Sequence, residues 1–303
     1  MSRFRYWLLA LLLAGCSKLP LEQLPSANHN DRVQFLVLHF TAEDFATSVA
    51  ILVKGNQVSS HYLIPQDGDP SYPYRQLKVF QLVDEQQRAW HAGASYWQGR
   101  RNLNDISVGV ELVNLPRCQP PPYPDGRRQC QYPDFDPAQI SLLVRLAKAI
   151  LARHPDIGPT QVVGHGDVAP SRKDDPGPRF PWQQLAEAGI GAWYDEEVVG
   201  RYQQAFAQQP PSLALVQAAL GAYGYGVLET GLVDRQTEDT LLAFQRHFLP
   251  QELGSGPSPR TVAVLFALLE RYFPDQGSAL WARYQQGEPQ AVPQQDCSCA
   301  QKK

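Results

Sequence analysis

The sequence predicts an α/β fold: a central mixed β-sheet flanked by helices, followed by a small C-terminal three-helix domain. Two observations carry this expectation. From Val33 onward, short runs rich in Val, Ile and Leu alternate with segments of helical period. Beyond Pro211 the β-type runs stop and only helical periodicity remains. A length of 303 residues is also more than one ordinary domain needs.

The elements follow in chain order. Residues 1–15 read as a signal peptide, with Arg3 and Arg5 ahead of an apolar run from Trp7 to Leu13. That run is too short to span a bilayer as a mature helix. Leu13-Ala14-Gly15-Cys16 matches a bacterial lipobox, which implies cleavage before Cys16 and lipidation of Cys16. Ser17 then directs the expectation to the outer membrane, with the protein facing the periplasm. Residues 16–30 are polar and read as a lipidated tether.

The runs VQFLVL, SHYLI, VFQLV, ISVGVELV and QVV are the expected strands of a catalytic domain over 31–195. Asp136-Pro137 ahead of AQISLLVRLAKAILARH predicts a capped helix, with Asp at the N-cap and Pro at the first helical position. Residues 196–211, ending in QQPP, read as a linker. SLALVQAALGAYGYG, QTEDTLLAFQRHF and PRTVAVLFALLERYF are three amphipathic helices within a domain over 212–285. Residues 286–303 form a Pro/Gln-rich polar tail, expected to be disordered. No internal repeat is evident.

Composition bounds the partners. The chain carries 27 basic and 30 acidic side chains, a formal charge of −3, and loss of Arg3 and Arg5 makes the mature form more acidic. A nucleic-acid surface requires the opposite balance. Of five cysteines, lipidated Cys16 leaves four. Cys118 and Cys130 bracket the loop CQPPPYPDGRRQC and are expected to pair in an oxidising compartment. Cys297 and Cys299 lie in the tail, paired or labile.

The chemistry concentrates in two stretches. His39 ends the apolar run Phe35–Leu38, and His165 ends another in VVGHGDVAPSRKDDPGPRFPW, with Asp175 ten residues further on. Two imidazoles and one carboxylate without a fourth protein ligand suit a catalytic zinc, which keeps a position for water. Asp174 adjoins Asp175 and is a rival ligand; Asp167 reads as structural.

VLHFTA, VSSHYLI, AWHAGASYWQGRRNLNDISVGVELVN and HGDVAPSRKDDPGPRFPW together resemble the zinc-dependent N-acetylmuramoyl-L-alanine amidases of type 2, relatives of T7 lysozyme and the peptidoglycan recognition proteins. The resemblance covers about Val33 to Trp193. It implies that His39, His165 and Asp175 hold one Zn²⁺, that Glu111 is the catalytic acid/base, and that Lys173 assists the oxyanion. Trp90, His91, Asn114, Arg172 and His61 resemble positions around the substrate groove. The lipobox and second domain match an outer-membrane lipoprotein branch. Asp234, Thr237, Ala243, Phe244 and Gln245 approximate a helical peptidoglycan-binding module.

The implied activity is hydrolysis of the amide between N-acetylmuramic acid, ordinary or 1,6-anhydro, and L-alanine of the stem peptide, in wall turnover and recycling. Peptidoglycan and muropeptides are the expected partners, with the membrane reached through the lipid anchor and a homodimer open. A non-catalytic wall receptor of the same fold is the competing reading. So is a zinc hydrolase cutting within the stem peptide.

Overall fold

The computed structural model describes residues 21–119 and 130–287. The expected signal peptide, Cys16, Cys297, Cys299 and the residues from 288 lie outside the described residues. The chain divides into two units, 1–30 and 31–303. Residues 21–30 are exposed and hold no helix or strand.

The second unit contains the expected sheet. In chain order come β1 (Phe35–Phe40), α1 (Phe45–Val49) with a π-helical turn Ala50–Lys54, β2 (Tyr62–Ile64), β3 (Phe80–Gln81), the hairpin β4 (Tyr96–Trp97) and β5 (Arg100–Arg101), and β6 (Ser107–Leu112). The short pair β7 (Arg117–Cys118) and β8 (Cys130–Gln131) follows, then α2 (Pro137–Arg153), β9 (Val162–Gly164), α3 (His165–Val168) and α4 (Trp182–Glu187). The main sheet runs β3-β2-β6-β1-β9, parallel except for β3 at the edge. Each of its five strands overlaps one of the five runs read as β, with β1 and β9 running on past the quoted ends to Phe40 and Gly164. A disulfide joins Cys118 to Cys130.

Strand alternation sorts the core into two layers. Leu36, Leu38, Val108, Val110 and Leu112 point toward α2, whose Ile140, Leu143, Ala147 and Ile150 cover them. The Asp136 carboxylate caps α2 by accepting from the Ala138 and Gln139 amides. Buried Gln139 then donates to the Ile64 and Val113 carbonyls, tying the helix start to the ends of β2 and β6. Phe35 and Val37 face the other way, into a core shared with the C-terminal helices.

Those helices number more than three. α5 (Glu196–Gln208), α6 (Leu213–Tyr223), α7 (Arg235–Phe248), α8 (Pro259–Tyr272) and α9 (Pro274–Gln285) pack on this second face. The linker expected over 196–211 is therefore corrected: α5 fills most of it, capped by Asp195 and burying Val199, Tyr202 and Phe206. Its polar majority and the QQPP ending conceal that stripe. The core runs unbroken from Val37 and Val163 to Phe244 and Phe266, so the described residues from 31 onward form one compact unit.

One device recurs in the helical part, although the sequence shows no repeat. Gln217 accepts the Gly231 amide and donates to Thr237 Oγ1. Gln245 accepts the Gly254 amide and donates to Thr261 Oγ1. In each case a buried glutamine pins the loop leading to the next helix, whose N-cap (Asp234, Ser258) accepts from that threonine's amide.

Candidate active site

The site lies outside the carboxyl ends of the parallel strands, where open α/β sheets place their ligands. His39 is the fifth residue of β1, with its side chain on the Phe35–Val37 face, and it pairs in register with Glu111 on β6. His165 begins α3 immediately after β9. The loop after α3 returns Asp175 to this point, where its carbonyl accepts the Gly166 amide at 2.7 Å. Pro176 packs against Gly164 so closely that a β-carbon there would sit 2.7 Å from its Cδ, which explains the glycine before His165.

Three donor atoms converge. His39 Nδ1 lies 3.1 Å from His165 Nδ1 and 2.9 Å from Asp175 Oδ2, and His165 Nδ1 lies 3.2 Å from the same oxygen. A tetrahedral ion at about 2.0–2.1 Å from its ligands separates them by about 3.3 Å, so this triangle fits one face of such a site. Asp174 is not in the set: its Oδ2 accepts from Tyr132 O–H at 2.5 Å.

The remaining ring nitrogens are assigned by their partners. His165 Nε2 donates to the Ala92 carbonyl at 3.1 Å, leaving Nδ1 as the free acceptor. His39 Nε2 donates to His91 Nδ1 at 3.0 Å, His91 Nε2 donates to Ser107 Oγ at 3.1 Å, and Ser107 donates to the Leu103 carbonyl at 2.6 Å. Each donor in this chain has one acceptor, with nothing left over. Gly109 makes room for it, because a β-carbon there would lie 2.5 Å from His91 Cγ. Asn104 Oδ1 accepts the His91 and Ala92 amides and fixes the segment that supports both ligands.

The electrostatics suit neutral His39 and His91 rings and an ionised Asp175. Burial, reinforced by His165, lowers His39 to about 4. Burial lowers His91 far below the usual histidine range, with His39 and His61 adding to it. Burial alone would raise Asp175, but His165 and His39 override it and hold the carboxyl well below the carboxylate range. Glu111 moves the opposite way: burial and the charge of Asp175 push it well above the usual value, and Lys173 opposes them in part. Its Oε2 is buried without a hydrogen-bond partner. A carboxyl in that state suits proton transfer.

A groove of about 1240 Å³ opens over the site, lined by His39, Glu111, His165, Lys173 and Asp175 among others. Trp90 stands at its rim, half exposed, with the Arg88 guanidinium 3.8 Å from its ring centroid. Arg172 also lines the groove, although its Nη2 donates to the Ala92 and Ala94 carbonyls. His91 lines the groove as well, but it is buried and its Nδ1 accepts from His39 Nε2. Two expectations are corrected. His61 is fully buried, its Nδ1 accepting the Gly109 amide and its Nε2 donating to the Gln87 carbonyl, so it braces β6 instead of meeting substrate. Asn114 is buried too, donating toward the Pro133 and Asp134 carbonyls.

Asp167 and the C-terminal helices form a link that sequence reading missed. The Asp167 carboxylate accepts from Gly164 N–H, Tyr225 O–H and His247 Nδ1 at 2.7, 2.8 and 2.7 Å, all buried. His247 stacks on Trp182 at 3.7 Å. The turn carrying His165 is thereby clamped to α7. Arg235, Asp239, Leu242 and Arg246 of that helix line the groove. Their spacing of four, three and four marks one helix face and is the signal that could have revealed them.

Such a donor set, with a carboxyl beside it that can carry a proton and a long open groove above, defines a hydrolase of metal-site type built on an α/β sheet. Residues 29–178 match the model of the family described as N-acetylmuramoyl-L-alanine amidase. The chain belongs to this family. It is 42% identical over 289 residues to the N-acetylmuramoyl-L-alanine amidase AmiD of Escherichia coli, covering 91% of this chain and all of that one. The crystal structure of AmpDh3 from Pseudomonas aeruginosa in complex with anhydromuramic pentapeptide superposes with a TM-score of 0.78 at 44% identity, over 85% of this chain and 99% of that one. The complex of E. coli AmiD with anhydro-N-acetylmuramic acid-L-Ala-D-γ-Glu-L-Lys gives 0.70 at 42% identity, over 82% and 93%. Both matches extend past the sheet into the C-terminal helices.

Proposed function

We propose that this amidase hydrolyses the amide between N-acetylmuramic acid, or its 1,6-anhydro form, and L-alanine of peptidoglycan stem peptides, in wall turnover and recycling. The observation that carries the reading is the His39–His165–Asp175 donor triangle beside the unpartnered Glu111 carboxyl in an open groove. The solved relatives were captured with muropeptides of this kind.

His39, His165 and Asp175 would hold Zn²⁺, the ion that suits two imidazoles and one carboxylate with a position left for water. Zinc, when bound, supplies a water acidic enough to act as nucleophile at neutral pH and polarises the scissile carbonyl. Glu111 takes the proton from the attacking water and returns it to the departing L-alanine nitrogen, for which its raised pKa suits it. Lys173, on the groove wall, stabilises negative charge on the carbonyl oxygen. The chain His39–His91–Ser107 keeps the His39 ring oriented throughout.

Lipidation of Cys16 and attachment to the inner leaflet of the outer membrane belong to the same proposal. They rest on the motif Leu13-Ala14-Gly15-Cys16 and on Ser17. The α6–α8 region supports a wall-binding role through its likeness to helical peptidoglycan-binding modules.

The test is mass spectrometry of the products from a defined muramyl tripeptide. Free N-acetylmuramic acid and an intact tripeptide with L-alanine at its N-terminus are expected. Cleavage inside the peptide, or binding without turnover by zinc-loaded protein, would overturn the reading.

A further inference from the structure

We propose that α7 supplies a carboxylate subsite, centred on Arg246, that engages an acidic group of the stem peptide and sets substrate preference. The proposal rests on the amidase reading above. It gives the C-terminal helices a direct share in the active-site groove, beyond any hold on the wall.

Position is the first argument. Arg235, Asp239, Leu242 and Arg246 form one face of α7, and that face walls the same groove that contains Glu111, Lys173 and Asp175. Arg246 also borders the small cavity beside Asp174 and Asp175, so it stands at the metal-site end of this wall. Its backbone is held there by its neighbour: His247 is buried, bonded to Asp167 and stacked on Trp182. The arginine is therefore presented from a rigid element anchored to the turn that carries His165.

Charge is the second argument. The Arg235 Nε lies 3.1 Å from Asp239 Oδ2, so that pair is internally compensated. Among the described residues, no hydrogen bond or ion pair is formed by Arg246. Asp174, which borders the same small cavity, accepts from Tyr132. A half-buried guanidinium in a groove is a bidentate receptor for carboxylate.

Size is the third. A groove of about 1240 Å³ exceeds the roughly 300–1000 Å³ of a small-molecule pocket, so there is room for peptide beyond the scissile amide. A peptide joined through the γ-carboxyl of D-glutamate keeps its α-carboxylate free, and that group is the chemistry Arg246 would recognise.

The experiment compares two muramyl tripeptides, L-Ala-D-γ-Glu-L-Lys with the glutamate α-carboxylate free or amidated. The wild type should prefer the acid. Arg246→Gln should raise KM for the acid about tenfold, the size of one charge-assisted hydrogen bond, with kcat unchanged and the amide unaffected. Arg246→Lys should restore part of the preference. Calorimetric binding of both peptides to Glu111→Gln, with and without Arg246→Gln, repeats the comparison without turnover. Equal losses on both peptides would mean that Arg246 only balances Asp174, and no loss on either, or no preference in the wild type, would equally sink the subsite. Failure of the wild type to hydrolyse either peptide would instead remove the amidase reading itself.

Discussion

His39 and Glu111 stand directly opposite each other on adjacent parallel strands, in register across β1 and β6. The proposed metal donor and the proposed proton carrier are thus held at fixed spacing by the sheet ladder itself. Neither depends on a mobile loop for its position. The third and fourth functional side chains, His165 and Asp175, are brought to this pair by a strand end and a returning loop.

Glu111→Gln should retain bound metal and the folded state yet lose kcat by about 10²-fold or more, since the amide can neither take nor return a proton. Lys173→Ala should lower kcat while leaving metal content unchanged. Elemental analysis beside steady-state kinetics checks both. Loss of metal from the Glu111 variant would show it to be a ligand.

His91→Phe breaks the chain from His39 to Ser107 without touching a donor atom of the metal set. Metal affinity should fall about 10–100-fold, the usual effect of removing a partner that orients a ligating histidine. Competition with a chelator measures it, and an unchanged affinity would separate the chain from metal binding.

Tyr225→Phe deletes one of three hydrogen bonds to the buried Asp167 carboxylate. A destabilisation of about 1.5–3 kcal/mol is expected, as for a hydrogen bond to a charged group. Denaturant unfolding followed by intrinsic fluorescence reports it. A single transition in which sheet and helices unfold together is expected as well, because their core is continuous.

Glu85 gives the fold a pH dependence away from the metal site. Burial pushes its carboxyl up, but hydrogen bonds from Arg153, Tyr62 and His154 outweigh this and bring it down to about 2. A carboxyl whose folded pKa lies below its unfolded value near 4.5 stabilises the protein above that unfolded value. The contribution drains away as pH falls from about 4.5 toward 2. With Arg153 half exposed, solvent screening reduces it to about 2 kcal/mol. Glu85→Gln should be less stable than wild type at pH 7, with the gap narrowing as the acid is approached. A constant gap in urea midpoints from pH 7 to 3 would contradict this.

Cys16→Ala should move the protein from the membrane fraction to the soluble fraction with its specific activity intact. Acyl chains contribute about 0.8 kcal/mol per buried methylene, and no helix among the described residues is long and apolar enough to cross a membrane. Fractionation of expressing cells tests it; a native protein already soluble would remove the lipid anchor, and inner-membrane recovery alone would remove the sorting argument.

The strands, the capped α2, the donor triad His39, His165 and Asp175, and the place of Glu111 and Lys173 on the same groove were legible in the chain because each sits in a local pattern. Alternating apolar runs specify a strand and its faces, Asp136-Pro137 specifies a helix start, and the motif runs carry the site residues together. Other features had no such pattern. Asp174 and Asp175 are identical neighbours, and only the returning loop turns one to the metal set and the other to Tyr132. His61 and Asn114 sit in the same motifs as the groove residues, yet just outside the strands they are buried and bonded to backbone groups. Asp167, Tyr225 and His247 are far apart in sequence, and buried partners of that kind are chosen by packing geometry. The same holds for α5 and for Arg246. The first is polar enough to read as linker until Val199, Tyr202 and Phe206 find a core, and the second gains its meaning only when α7 docks beside the strand ends.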